Sequence, residues 1–334
     1  VRYAIERSRT MKALKESEER YALAAHGAND GLWDWNLITN KIYYSPRWAE
    51  MIGKNEDEVS DNPAEWFNTV SLKDREQLRA DIKKYIKGNT THFQKEYRMY
   101  HTNGSYRWML CRGLIVRNKD GRAYRLAGSQ TDITARRKAE NQLIHAALHD
   151  TLTNLPNRAY FMDLLKRALN NVERNKNYKC AVLFMDVDRF KLINDNYGHL
   201  TGDQMLIEIA SALKSCVRPN DTIARIAGDE FVILMENIKS IKDSINVAER
   251  ILKKMFKPFH IAEHKIYTSL SIGIALNNGR EEKPENILRN ADTAMYYAKS
   301  QGKARYEIFH NKMLSNATSQ MKLESDLRKA FDND

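Results

Sequence analysis

Residues 225–234, RIAGDEFVIL, set two adjacent carboxylates, Asp229 and Glu230, between short apolar runs. Apolar and β-branched residues on both sides of a Gly-containing break read as a hairpin with the acids at its tip. Ala227 stands where a turn favours Gly, because a φ above zero costs an Ala about 1 kcal/mol. Outward from this hairpin, the runs at 179–188, 222–226, 231–235 and 265–276 read as strands, and 199–217, 240–256 and 284–301 as helices.

Strand, helix, hairpin, helix, strand and helix in that order fit a ferredoxin-like sheet of the polymerase-palm kind. The first strand, KCAVLFMDVD, ends in Asp186-Val187-Asp188, and alternation sends Asp186 and Asp188 to one face. A D-x-D alone is weak evidence, since strand ends often carry capping acids, and a hairpin tip is often merely solvated. If the hairpin pairs beside this strand, Asp186 and Asp229 converge into an all-oxygen site suited to Mg²⁺. Two such ions could activate an attacking hydroxyl and stabilise a leaving phosphate. Without metal, packed carboxylates lift one another's pKa.

The chain has 334 residues, enough for two domains, and its 42% apolar content is that of a soluble globular protein. No run of about 18 apolar residues offers a membrane span. A net charge of +11 raises nucleic acid as a partner, but Lys and Arg are scattered among acids, so none is expected. Three widely spaced cysteines argue for a reducing cytoplasm rather than a disulfide framework. The chain begins at Val1 without Met and reads as a fragment, which leaves membrane anchoring of a longer parent open.

Residues 1–24 are charged and free of Pro and Gly, so a helix is expected there. Between 25 and 134 come two strand-like runs, a helical middle and three more strand-like runs, which predict an antiparallel sheet with helices on one face. GLWDWNL, EYRMYHTNGSYRWM and the closing DIT in this stretch resemble a PAS sensor domain with a PAC-like end. The resemblance implies a fold and leaves the ligand unknown. His26, His92 and His101 read as structural or exposed rather than haem ligands, and the five tryptophans as core and interface aromatics. Residues 135–149 form a connecting helix, in which Ala139, Leu143 and Ala146 admit either a short coiled-coil seam or a plain linker.

HDTLTNLPNR, DVDRFKLINDNYGHLTGD, RIAGDEFVIL, SLSIGIA and ADTAMYYAKSQGKARY together resemble a GGDEF domain, the diguanylate cyclase family, over 150–311. The chain is thus expected to be α+β: an antiparallel-sheet PAS domain joined by a helix to a ferredoxin-like GGDEF domain. The resemblance implies condensation of two GTP into cyclic di-GMP and two pyrophosphates, between two facing copies. It implies Mg²⁺, with Mn²⁺ as a substitute, held by Asp186, the Val187 carbonyl, Asp229 and Glu230, the last also aiding attack by the 3′-hydroxyl. Asn194 and Asp203 would read guanine, Phe190 and Lys191 would lie in a phosphate-cradling loop, and Lys299 and Lys303 would neutralise the triphosphate. Arg218 and Asp221 coincide with the family's product-inhibition site. Ala227 replaces the family's first motif Gly, which predicts slower turnover through a strained turn or a crowding methyl. Residues 312–334 resemble the lead-in helix to an EAL phosphodiesterase domain. The alternative is a module that binds GTP and cyclic di-GMP and regulates such a downstream domain.

Overall fold

A computed structural model describes residues 29–88, 90, 92–175, 178–277 and 282–313, with Lys12 and Gly27 besides. The helix expected at 1–24 lies outside the described residues apart from Lys12, as do His26 and all but the first two residues of the helix expected at 312–334. The chain divides into two units, Val1–Gln142 and Leu143–Asp334. Among the described residues, no helix is long and apolar enough to cross a membrane.

In the first unit, β1 (Gly31–Asn36), β2 (Lys41–Tyr44), β3 (His92–Tyr100), β4 (Tyr106–Arg117) and β5 (Ala123–Asp132) form one sheet in the order β2-β1-β5-β4-β3. Every pairing in it is antiparallel, as expected. Helices α1 (Pro46–Ile52), α2 (Pro63–Thr69) and α3 (Leu72–Lys87) occupy the stretch between β2 and β3. The start of α1 follows from its sequence: Ser45 accepts from the Trp48 N–H, and Pro46 needs no donor at the first helical position. Trp33, Trp48 and Trp66 are buried to 1% exposure or less and fill the space between helices and sheet. Trp66 Nε1 donates to the Tyr97 hydroxyl at 2.8 Å, which donates to Gln130 Oε1 at 2.6 Å, so this buried polar chain is satisfied. Trp33 needs two glycines beneath it, since a Cβ on Gly128 would lie 2.6 Å from its ring and one on Gly113 2.8 Å. All three cysteines are free and buried.

Helix α4 (Thr134–Leu148) follows β5. The second unit then runs α5 (Arg158–Arg174), β6 (Ala181–Val187), α6 (Phe190–Tyr197), α7 (His199–Lys214), β7 (Thr222–Ala227), β8 (Glu230–Met235) and α8 (Ile241–Met255). It closes with the β9 (Phe259–Ile261) and β10 (His264–Ile266) hairpin, β11 (Leu270–Leu276), α9 (Pro284–Ser300) and β12 (Tyr306–Ile308). The main sheet is ordered β12-β11-β6-β8-β7. Strands β11, β6, β8 and β7 are antiparallel in the ferredoxin-like arrangement, and β12 adds in parallel beside β11.

Alternation along β6 divides the core. Leu183, Met185 and Val187 pack with Met205 and Ile209 of α7 and with Val247 and Ile251 of α8. Val182 and Phe184 face the other way, toward Phe161 and Leu165 of α5 and Ala291 and Met295 of α9. Asp186 continues the second register, which directs it to the α9 side. On that side, a Cβ on Gly273 of β11 would lie 2.0 Å from the Ala291 carbonyl oxygen and 2.2 Å from the Met295 nitrogen. Glycine here lets α9 lie directly on the sheet.

Two expectations are corrected. The run 265–276 is not one strand: β10 pairs with β9 in a separate two-stranded sheet, and only Leu270–Leu276 joins the main one. The break is made by Asp188, whose N–H donates to the Ser269 carbonyl and whose carbonyl accepts from Thr268 Oγ1. Phe190 and Lys191 are not in a loop but open α6, after Arg189 in left-handed backbone at φ 60°.

Candidate active site

The register of β6 and β8 puts Asp186 directly opposite Glu230, and the Val187 N–H donates to the Asp229 carbonyl at 3.3 Å. The hairpin therefore does pair beside the first strand, bringing the three acids to one end of the sheet. Lys299, in the last turn of α9, places Nζ 2.7 Å from Asp186 Oδ2. Burial raises the pKa of Asp186; Asp229 and Asp188 add to the rise, and Lys299 opposes it. Glu230 is also raised, first by burial and then by Asp292, Asp186 and Asp229.

Asp292, exposed on α9, was missed as a candidate, and partial desolvation by the surrounding protein raises its carboxyl. The signal was present: Asp292 and Lys299 are two helical turns apart, on one face of α9. An acid on an amphipathic helix ordinarily reads as solvent-facing, which concealed it.

Asp188 does something different from Asp186. It is 5% exposed, and its carboxylate accepts from Ser269 Oγ at 2.5 Å, Ser271 Oγ at 2.7 Å and the Ala304 N–H at 3.1 Å. Those bonds fasten the turn after α9 to the end of β6.

Helices α6 and α7 meet at Gly198, whose φ of 83° reverses the chain between them. Asn194 Oδ1 is buried without a hydrogen-bond partner among the described residues. It lies over Gly202, where a Cβ would stand 1.9 Å from Oδ1 and 3.2 Å from Phe190 Cζ. Such an acceptor is costly to leave unpaired, by about 1–3 kcal/mol, and a ligand N–H would satisfy it. Asp203 is exposed beside Gly202 on α7, and Lys191 is exposed on α6. Lys303 is exposed at φ 64° and lines a cavity with Asp188 and Arg189.

Arg218 and Asp221 are brought together by a turn in which the Arg218 N–H donates to Asp221 Oδ2 at 3.0 Å. With Lys214 and Pro156 they line a separate cavity of about 450 Å³. The hairpin tip is held from the side by Arg225: its Nε donates to the Gly228 carbonyl at 2.8 Å, and its Nη1 to both Asp150 carboxylate oxygens at 2.9 and 3.0 Å.

The expected strain at Ala227 is corrected. Ala227 is the last residue of β7, pairs with Glu230 and is absent from the left-handed residues, whereas Gly228 takes φ 48°. A register shift between Arg225 and Ala227 moves the turn onward by one residue, so an ordinary side chain fits at 227.

Among the described residues, no group of three or more His, Cys, Asp and Glu side chains could hold a metal by itself. The donors at hand are oxygens only, the carboxylates of Asp186, Asp229 and Glu230 and a backbone carbonyl, with the pKa of Asp186 and of Glu230 raised. That set fits Mg²⁺, which keeps several waters and takes substrate phosphate oxygens beside a few carboxylates.

Residues 147–305 match the family described as diguanylate cyclase, GGDEF domain, and residues 41–130 match the PAS fold. The chain is 44% identical over 199 residues to the bifunctional diguanylate cyclase/cyclic di-GMP phosphodiesterase MucR of Pseudomonas aeruginosa, covering 60% of this chain and 29% of that protein. It is 32% identical over 326 residues to the signaling protein YkoW of Bacillus subtilis, covering 96% of this chain and 39% of that protein. The chain thus spans well under half the length of these relatives. The solved GGDEF domain of TpbB from Pseudomonas aeruginosa is 38% identical at a TM-score of 0.49, covering 51% of this chain and 99% of that one.

Proposed function

Because the chain carries a PAS fold followed by a GGDEF domain, we propose that it condenses two GTP into cyclic di-GMP and two pyrophosphates. The observation that carries this reading is the cross-strand pairing of Asp186 with Glu230 beside Asp229. Asp186, the Val187 carbonyl, Asp229 and Glu230 would hold Mg²⁺, with Mn²⁺ as a substitute; bound there, the ion supplies positive charge to the phosphates. Glu230 accepts the proton of the 3′-hydroxyl, whose oxygen forms a bond to the α-phosphorus as the bond to pyrophosphate breaks. Its raised pKa suits that task, since a carboxylate held above its usual range is a stronger base. Lys299 pairs with Asp186 in the free protein and is positioned to turn toward phosphate oxygens.

Asn194 Oδ1 and Asp203 accept from guanine N1–H and the 2-amino group. Adenine offers neither in that arrangement. Each copy holds one nucleotide, and two copies facing each other bring the 3′-hydroxyl of one against the phosphate of the other, so placement of the two sets the rate. The PAS fold, whose ligand is unknown, would set that placement through α4. Arg218 and Asp221 in their own cavity would bind product as an inhibitor.

Incubating the chain with GTP and MgCl₂ and separating the products by ion-exchange chromatography tests this reading. Cyclic di-GMP with pyrophosphate is expected. Unchanged GTP at high protein concentration would instead favour the nucleotide-binding module acting on a downstream EAL domain. Gly202→Ala gives a sharper test of guanine reading. Its methyl displaces the Asn194 carboxamide, the movable end of a side chain, so the fold survives. Affinity for a fluorescent GTP analogue is expected to fall about tenfold, the value of one hydrogen bond to a buried acceptor. Unaltered affinity would remove Asn194 from the nucleotide site.

A further inference from the structure

A second cavity, of about 650 Å³, lies against α6, inside the range of about 300–1,000 Å³ usual for small-molecule sites. Helix phase separates it from Phe190 and Asn194. Phe190 and Asn194 are four apart and share one face of α6; Leu192 and Asn196 share another, about 200° around the axis. Leu192 and Asn196 line the cavity, and Phe190 and Asn194 do not.

Its remaining walls include Phe256 at the end of α8 and Tyr267 in the break between β10 and β11. Both rings face water, at 79% and 66% exposure, as does Leu192 at 53%. Three cations line the same space, Arg189, Lys265 and Lys303, and none has an ion-pair partner among the described residues. The one acid in the lining, Asp188, already accepts three hydrogen bonds from the protein. Arg189, Lys303 and Ala304 all hold left-handed backbone, at φ 60°, 64° and 51°. Strained non-glycine residues of this sort cluster at ligand sites, where the surroundings hold them in place. Lys265 Nζ lies over the Tyr267 ring at 5.7 Å, and exposed rings beside cations that no carboxylate neutralises call for a ligand that is flat, apolar and negative.

We propose that this cavity binds a small aromatic anion: a fused-ring or aryl molecule bearing a carboxylate, sulfonate or phosphate. Its rings lie against Phe256, Tyr267 and Leu192, and its anionic group meets Arg189, Lys265 and Lys303. The cavity does not depend on the cyclase reaction, and its occupancy can be measured without GTP.

The probe is 1-anilinonaphthalene-8-sulfonate, titrated into the whole chain and followed by fluorescence. One saturable site in the second unit is expected. Phe256→Ala and Lys265→Ala should each weaken it about tenfold, in line with the loss of a ring contact or a charged hydrogen bond. Both side chains are solvent-exposed, so the variants keep their circular dichroism. Lys191→Ala, on the opposite side of α6, should leave binding unchanged. The neutral probe N-phenyl-1-naphthylamine should bind at least about tenfold more weakly than the sulfonate, again the worth of a charged hydrogen bond. Equal affinity for the two probes, or binding indifferent to Phe256 and Lys265, overturns the proposal.

Discussion

Glu230→Gln is expected to lower cyclic di-GMP formation by about 10²–10⁴-fold, the usual contribution of a positioned general base. The substitution preserves shape and a carbonyl acceptor and removes only the charge and the proton affinity. Glu230 opposes Asp186 across the β6–β8 pair, so the backbone at this position is fixed by the sheet and does not move with the side chain. Its proton affinity is set by burial and by Asp292, Asp186 and Asp229. Pyrophosphate release measures the rate, and binding of a fluorescent GTP analogue should remain within a few-fold of the parent. A rate within threefold of the parent would reduce Glu230 to a neighbour of the chemistry. Weak nucleotide binding with little product would show that its hold on the ion outweighs its part as the base.

Gly273→Ala is expected to cost the second unit about 3 kcal/mol or more, the upper end of overpacking penalties. Here the methyl meets backbone, not a movable side chain: the Ala291 carbonyl at 2.0 Å and the Met295 nitrogen at 2.2 Å. Helix α9 must lift from β11, and its whole apolar stripe of Ala291, Ala294 and Ala298 lifts with it. A domain of this size is stable by about 5–15 kcal/mol, so the urea midpoint should fall visibly when unfolding is followed by far-UV circular dichroism. The same helix carries Asp292 and Lys299, so activity should fall further than the folded fraction does. A parent-like midpoint would show that α9 is not held at this distance by Gly273.

Strands whose apolar runs end cleanly were legible before any coordinates, and their order with the intervening helices gave the ferredoxin-like sheet. Asp186, Asp229 and Glu230 were legible because period-two alternation and hairpin pairing are local rules. What escaped was decided at a distance. KIYTSLSIGIAL carries no Pro, Asn or Asp to mark a break, and the grip of Asp188 on Thr268 and Ser269 interrupts it. FKLINDNY is short, and its start rests on a left-handed Arg189 with no side-chain cap, so nothing in its letters announces a helix. The turn at Ala227 was misplaced by one residue because a bulge leaves no mark in sequence.

The guanidinium of Arg225 has a mechanical consequence. Asp150 comes two residues after the end of α4, and the same arginine that grips it also grips the Gly228 carbonyl, next to Asp229. On the proposed function, a tug or twist arriving along the connector would meet a short linkage to the acidic tip, like a bell-crank between rod and valve.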